Sequence, residues 1–243
     1  SSNTEYLFME RNEMSAIGIN QTRIDARAKV RGEALYPGDF NLPNSLHMKV
    51  KFSERAHAIV KAIDISDAMQ VPGVELILTA GDVPNNEYGL SYYDQPVLCG
   101  PGSNKAFADR VRFIGDQVAL VVAESVEAAE KARDLIHVEY EELPVITDVH
   151  AAIQPGCERI HPERDSNIFA HNKIRKGNTE EAFKTAAVIV EAVYQTPVQE
   201  HAYLQPEAGV AYLDEEDRIT VVVAGQWTHK DQDQIAHALN MES

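Results

Sequence analysis

Three residues near the C-terminal end of the sequence have the types that acid and base catalysis uses. Glu200 and His201 are adjacent, and Glu207 follows shortly after them, so that carboxylates and an imidazole could exchange protons with a substrate. A single Glu-His pair is a weak signal, however, and carboxylates on either side of a turn at Pro206 more often cap backbone groups. We therefore expect Glu200, His201 and Glu207 to line a pocket or to support the structure, and we assign them no catalysis.

Gln226 and Trp227 lie in the short sequence AGQWTH, between a predicted strand and a predicted helix. A side-chain amide can donate a hydrogen bond without adding charge, and an indole ring can stack on a planar group. The residue types alone make Gln226 an ordinary polar residue at a strand-to-helix turn. For Trp227, they predict a pocket-lining or structural position.

The cysteines and histidines give no support for a nucleophile or a metal site. Cys99 is followed by Gly100 and Pro101, but no residue near it in the sequence is a candidate activating base. Neither cysteine belongs to a CxxC pair, so the sequence predicts reduced thiols, without a disulfide framework or structural zinc. The spacing of the histidines in the middle of the chain fits no metal motif; these are His150, His161 and His171.

Composition excludes two classes of partner. The chain has 243 residues and a formal net charge of -16, which leaves no basic surface for nucleic acid. No apolar run approaches the ~20 residues that span a bilayer, and the N-terminal residues lack the pattern of a signal peptide. The sequence predicts a cytoplasmic protein that binds neither nucleic acid nor membrane.

The most regular part of the sequence extends from Val111 to Ile146. An apolar run at 118–123 predicts a buried strand, and Ser125 can cap the helix that follows it. The alternating residues His137 to Glu141 predict a second strand, which Pro144 ends. We interpret the three elements as a right-handed βαβ unit.

Three further strands are predicted before this stretch. Leu46 to Phe52 alternates apolar and polar residues, which predicts one face in a core and one in water. Strands are also expected at 57–65 and 74–79. Two interpretations are open for the irregular region 82–110. It is expected either to contact a partner subunit or neighbouring domain or to cover one end of a sheet.

The C-terminal part of the sequence predicts a second set of elements. Asn178 and Glu181 have the spacing of a capping box for a helix through Ala187. A strand is expected at 188–194, a hairpin at 209–224 around the acidic turn DEED, and a closing helix from Thr228.

Five segments of the sequence, in order, resemble the molybdenum-binding subunit of the xanthine dehydrogenase and aldehyde oxidase family of molybdenum hydroxylases. The segments are RIDARAKVRGEALYPGD, DISDAMQVPGVELILTAGDVP, GDQVALVVAESVEAAEKARDLIHVEYEELPVI, QEHAYLQPEAGVAY and AGQWTH. Together they extend over most of the chain, from about Arg23 to Met241.

The resemblance implies an α+β fold of two parts. Residues 1–21 are a lead-in that we expect to be disordered, and residues 22–146 are an α/β hammerhead domain. Residues 147–176 are a linker, and residues 177–243 are the first part of the molybdopterin-binding domain, which the chain carries in truncated form.

The resemblance also implies an oxidoreductase that hydroxylates an N-heterocycle, a purine or an aldehyde with water as the oxygen source. In relatives, a glutamine in the motif matched by AGQWTH hydrogen-bonds an oxo ligand of the molybdenum, and Gln226 occupies that place. The catalytic glutamate of the family follows a loop of the form GGxFGGKE, which this sequence does not contain. We therefore expect no catalytic residue in this chain, and we expect the chain alone to retain no molybdenum and to be inactive.

The family's other cofactors, [2Fe-2S] centres and FAD, are implied on partner subunits or domains, because the chain has only 2 cysteines. The remaining partners are the rest of the molybdopterin-binding domain and a small-molecule substrate. A hammerhead scaffold or assembly module without a cofactor is the alternative function.

Overall fold

A computed structural model describes Gly18 and residues 20–203, 205 and 207–243. Most of the predicted lead-in, and Pro206, lie outside these residues. The fold is mixed α and β, as predicted. In the described residues the α-helices are α1 (Ala26–Val30), α2 (Val126–Leu135), α3 (Val149–Ala152), α4 (Thr179–Thr185) and α5 (Thr228–Leu239). The strands are β1 (His47–Phe52), β2 (Ala58–Asp64), β3 (Val74–Leu78), β4 (Arg110–Val111), β5 (Gln117–Ala123), β6 (His137–Glu142), β7 (Gly209–Leu213) and β8 (Ile219–Val223).

The chain divides into two compact units. One unit joins the part of the chain up to Leu42 with His201–Ala224, and the other joins Pro43–Glu200 with Gly225–Ser243. The first unit contains α1 and the antiparallel hairpin of β7 and β8, in which Ala211 lies opposite Val221. The predicted hairpin is therefore present, with its turn at Asp214–Arg218.

Two three-stranded antiparallel sheets form the centre of the second unit. Their strand orders are β1-β5-β3 and β4-β2-β6. Helix α2 packs on the first sheet through Ala129 and Ala132, which lie on one face of the helix. With Ile136, which follows the helix, they form a core with Val121 and Ile77. The predicted cap is confirmed, since the Ser125 hydroxyl accepts a hydrogen bond of 3.1 Å from the Ala128 backbone N–H.

The predicted βαβ unit is wrong, although its two strands and its helix are present. β5 is the central strand of its sheet, so β1 and β3 already occupy both of its edges. β6 pairs instead with β2 in the other sheet, where Val138 lies opposite Ile63. The segment thus links two sheets, with only Ile136 between helix and strand.

The prediction for β1 was wrong about which face is buried. The apolar residues Met48 and Phe52 are 54% and 50% exposed, because α2 packs on the opposite face of the sheet. On that face the Lys49 ammonium lies 3.0 Å from the Glu130 carboxylate of the helix. A lysine can cover apolar surface with its stem while its charge stays in water, so alternation alone did not identify the inward face.

The strand predicted at 188–194 does not form in the described chain. Its apolar side chains are exposed, with Val190 at 83% and Val193 at 98%. A strand needs a neighbour for its ladder of hydrogen bonds, and none of the described strands pairs with this segment. Apolar composition alone therefore gave a wrong prediction.

His57 is a buried polar residue at the start of β2. Its side chain is 1% exposed, and its Nδ1 lies 2.7 Å from the Pro144 carbonyl oxygen. We expect His57→Leu to lower the free energy of unfolding by about 0.5–1.5 kcal/mol, the net contribution of a hydrogen bond, because the Pro144 carbonyl loses its donor. Urea denaturation followed by circular dichroism measures this change. His150→Leu, at an exposed position of α3, is the control and should change it by less than about 0.5 kcal/mol; equal effects would contradict the prediction.

Candidate functional site

Gln226 lies in the turn between β8 and α5, as the sequence predicted. The strand ends at Val223 and the helix begins at Thr228, so the turn is four residues long, and both Gln226 and Trp227 are exposed. The Trp227 carbonyl accepts a hydrogen bond of 2.9 Å from the Asp231 N–H, which closes the first helical turn. The Gln226 amide is thus presented beside a helix N-terminus, where backbone N–H groups and the helix dipole favour electron-rich ligands.

Gly225 leaves space in this turn for an acidic side chain of the following helix. A Cβ atom at this position would lie 1.9 Å from Oδ2 of Asp231, far inside van der Waals contact. The Asp231 carboxylate therefore packs directly over the Gly225 backbone, in the first turn of α5, where a negative charge is favourable. This close approach fixes the peptide that precedes Gln226.

The other predicted pocket residues are divided between the two units. Glu200 belongs to the same unit as Gln226 and Trp227, whereas His201 and Glu207 belong to the unit that contains the hairpin. All of them are exposed in segments without regular secondary structure. Their pocket-lining role stays a prediction.

Two further groups bear on metal binding and nucleophilic chemistry. Across the described residues, no cluster of three or more histidine, cysteine or acidic side chains could hold a metal ion. Cys99 is fully buried, and burial, together with nearby Asp116, raises the pKa of its thiol. A thiol of this kind is a poor nucleophile, which agrees with the structural role favoured by the sequence.

The irregular region 82–110 contacts the far end of α5. Asn85 donates through its backbone N–H to the Ala238 carbonyl (3.0 Å) and through its side chain to the His237 carbonyl (2.9 Å). The Gly89 N–H donates to Oε1 of Gln234 (3.1 Å). Sequence analysis allowed this region a contact with a neighbouring domain. It did not find these partners, because about 150 residues separate them from the loop.

A partly buried cluster of charged side chains accompanies these backbone contacts. Nε2 of His237 lies 2.9 Å from Oε1 of Glu87, and Lys105 donates to the same oxygen at 2.8 Å. The Tyr93 ring stacks on the His237 ring, with centroids 3.9 Å apart and planes 9° apart. Burial of Glu87 opposes its ionisation, but the hydrogen bonds from Lys105 and His237 outweigh it and lower the pKa of the carboxyl.

Two family models define the class of protein, subunits that combine a hammerhead domain with a molybdopterin-binding domain. Residues 31–144 match the family model described as "Aldehyde oxidase and xanthine dehydrogenase, a/b hammerhead domain". Residues 160–243 match the model of the "Molybdopterin cofactor-binding domain". The chain belongs to the aldehyde oxidase and xanthine dehydrogenase family.

Relatives of known sequence agree with this assignment. The chain is 36% identical to a probable xanthine dehydrogenase subunit of Bacillus subtilis, over 91% of this chain and 29% of that protein. It is 33% identical to the nicotinate dehydrogenase large molybdopterin subunit of Eubacterium barkeri, over 93% of this chain and 51% of the relative. The chain thus spans about a third to a half of the length of these relatives.

Solved structures show the same fold. The aldehyde oxidoreductase of Desulfovibrio gigas superimposes with a TM-score of 0.80 at 27% identity, over 90% of this chain and 25% of that one. Quinoline 2-oxidoreductase of Pseudomonas putida gives a TM-score of 0.77 at 26% identity, over 93% and 29%. Separately, no helix in the described part of the chain is long and apolar enough to cross a membrane.

Proposed function

We propose that this chain forms part of a molybdenum hydroxylase and that the Gln226 side-chain amide donates a hydrogen bond to the molybdenum cofactor. The observation that carries the proposal is the exposed amide at a strand-to-helix turn, inside the segment that matches the molybdopterin-binding domain. When bound, the cofactor supplies the oxygen-transfer and redox chemistry. The chain supplies a neutral donor on a turn between two regular elements, which is a rigid support for such a contact.

The residues around Gln226 fit this role. A neutral amide donor stabilises an electron-rich ligand without introducing a charge that would alter the redox balance of the metal. Asp231, in the first turn of α5, packs against Gly225, and Gln226 directly precedes the N-terminus of α5, where the helix dipole contributes partial positive charge. Glu200, His201, Glu207 and Trp227 are proposed as pocket-lining residues of the complete enzyme.

The proposed activity is an oxidoreductase reaction that hydroxylates an N-heterocycle, a purine or an aldehyde, with water as the oxygen source. The names of two relatives, a probable xanthine dehydrogenase and a nicotinate dehydrogenase, support the N-heterocycle class. The same proposal includes iron-sulfur and FAD partners, the remainder of the molybdopterin-binding domain and a cytoplasmic location. Within it, residues 22–146 are the hammerhead domain, 147–176 the linker and 177–243 the start of the cofactor domain.

The test replaces Gln226 in the complete enzyme that contains this chain. We expect Gln226→Ala to lower kcat by about 10–100-fold, because groups that hydrogen-bond the ligands of a metal contribute on that scale. Stopped-flow reduction with substrate measures the change, and metal analysis checks that the molybdenum content is retained. Gln232→Ala, at an exposed position on α5, is the matched control and should leave kcat unchanged.

Three outcomes would each contradict a part of the proposal. If Gln226→Ala and Gln232→Ala have the same kcat, Gln226 does not contact the cofactor. The assays are run with xanthine, hypoxanthine, nicotinate and an aldehyde. Turnover of the aldehyde alone would refute the N-heterocycle class, and stoichiometric assembly without molybdenum or turnover would favour the scaffold alternative.

A further inference from the structure

Helix α5 is fixed at both of its ends. At its start, the Asp231 carboxylate packs over Gly225. At its end, Asn85 donates to the carbonyls of His237 and Ala238, in the last turn, where a helix does not satisfy all of its own carbonyls. A helix of 12 residues is about 18 Å long and stiff, so it connects the contacts of Asn85 at its far end to the turn that precedes its start.

The side-chain contacts at the far end add to this attachment. Glu87 accepts hydrogen bonds from both His237 and Lys105, at 2.9 and 2.8 Å. Tyr93 stacks on one face of the His237 ring, while the ring nitrogen Nε2 contacts Glu87. The two contacts together restrict the orientation of the imidazole. We call the set Asn85, Glu87, Tyr93 and His237 the helix clasp.

We propose that Glu87 and Asn85 are positioning residues, which hold α5 through His237 and thereby orient the turn that carries Gln226. This inference rests on the proposed function of Gln226. It adds two residues of the loop at 82–110 to the cofactor site, although neither is proposed to touch cofactor or substrate. A displacement of about 1 Å at a reacting group can change a rate by two orders of magnitude, so support at a distance has a direct functional consequence.

The charged groups around the clasp determine its response to acid. Glu87 and Lys105 line a cavity of about 250 Å³ together with Asp94, Arg112, Glu163 and Arg164. Because the folded state lowers the pKa of Glu87, its carboxylate stabilises the clasp above the unfolded pKa, and this contribution is lost as the pH falls through the folded pKa. The difference in free energy of unfolding between the wild type and Glu87→Gln should therefore be present near neutral pH and disappear in acid.

The test uses the single tryptophan of the sequence as a reporter. Trp227 is next to Gln226 and ten positions from His237 along the chain, so its fluorescence reports the turn and not the clasp directly. In the 243-residue chain, we expect Glu87→Leu to increase the acrylamide quenching constant of Trp227 about twofold. Amide exchange in α5 should accelerate about tenfold, the loss expected for a hydrogen bond to a charged group.

Two variants separate positioning from general destabilisation. Glu87→Gln keeps an acceptor for His237 and should restore most of the wild-type quenching near neutral pH. Glu130→Leu breaks a different ion pair, that with Lys49 at 3.0 Å, on α2 and outside this cavity, and should leave Trp227 unchanged. Far-UV circular dichroism confirms that each variant is folded.

The proposal is overturned if Glu87→Leu is folded and its Trp227 quenching equals that of the wild type, or if Glu130→Leu changes the quenching equally. Both measurements use the chain without cofactor. A failure of the Gln226 experiment would therefore leave the Trp227 result intact, and the two proposals can fail separately.

Discussion

Replacing Ala132 by aspartate is expected to lower the free energy of unfolding by about 3–5 kcal/mol, the cost of an unpaired charge in a core. Ala132 is 0% exposed and lies in the core between α2 and the β1-β5-β3 sheet, in contact with the cluster that contains Ala129 and Val121. The protein interior is close-packed, so the carboxylate has neither space nor a hydrogen-bond donor. Urea denaturation followed by circular dichroism measures the loss.

Lys131→Asp is the matched control for this substitution. It places the same side chain one position earlier on α2, where the residue is exposed. The expected cost is below about 1 kcal/mol, from helix propensity and the repulsion between the new carboxylate and Glu127 four residues away. Equal destabilisation by the two variants would show that the buried face of α2 has been assigned incorrectly.

Local elements were predictable from the sequence, because their signals lie within a few residues. Ser125 accepts from the backbone three residues later, and the apolar run at 118–123 corresponds to β5. The hairpin of β7 and β8 followed from its acidic turn. In each case the interacting residues lie close together in the sequence, so propensity and spacing are sufficient for the prediction.

The pairing of the elements was not predictable in the same way. The βαβ interpretation was wrong because membership of a sheet depends on which edges are free, and β1 and β3 take both edges of β5. The inward face of β1 was also wrong, since the packing of α2 decides it. The segment 188–194 has strand composition but no partner among the described strands.

The candidate site was likewise only partly predictable from the sequence. Gln226 was located by its resemblance to a family motif, whereas its residue type alone would have left it an ordinary polar residue. The helix clasp was missed, because Glu87 and His237 are 150 positions apart and neither belongs to a local motif. Contacts at that separation carry no periodicity or spacing that one sequence could reveal.

The second large effect is expected from Gly225→Ala, which should reduce the activity of the complete enzyme by about 100-fold, as a displacement of about 1 Å can do. The added methyl group would lie 1.9 Å from Oδ2 of Asp231, so either the carboxylate or the peptide before Gln226 must move. The fluorescence of Trp227 in the 243-residue chain detects the movement without cofactor.

Asp231→Ala removes the opposing atoms, so Gly225→Ala combined with Asp231→Ala should recover the Trp227 spectrum of Asp231→Ala alone. Additive effects of the two substitutions would show that their contact does not fix the turn.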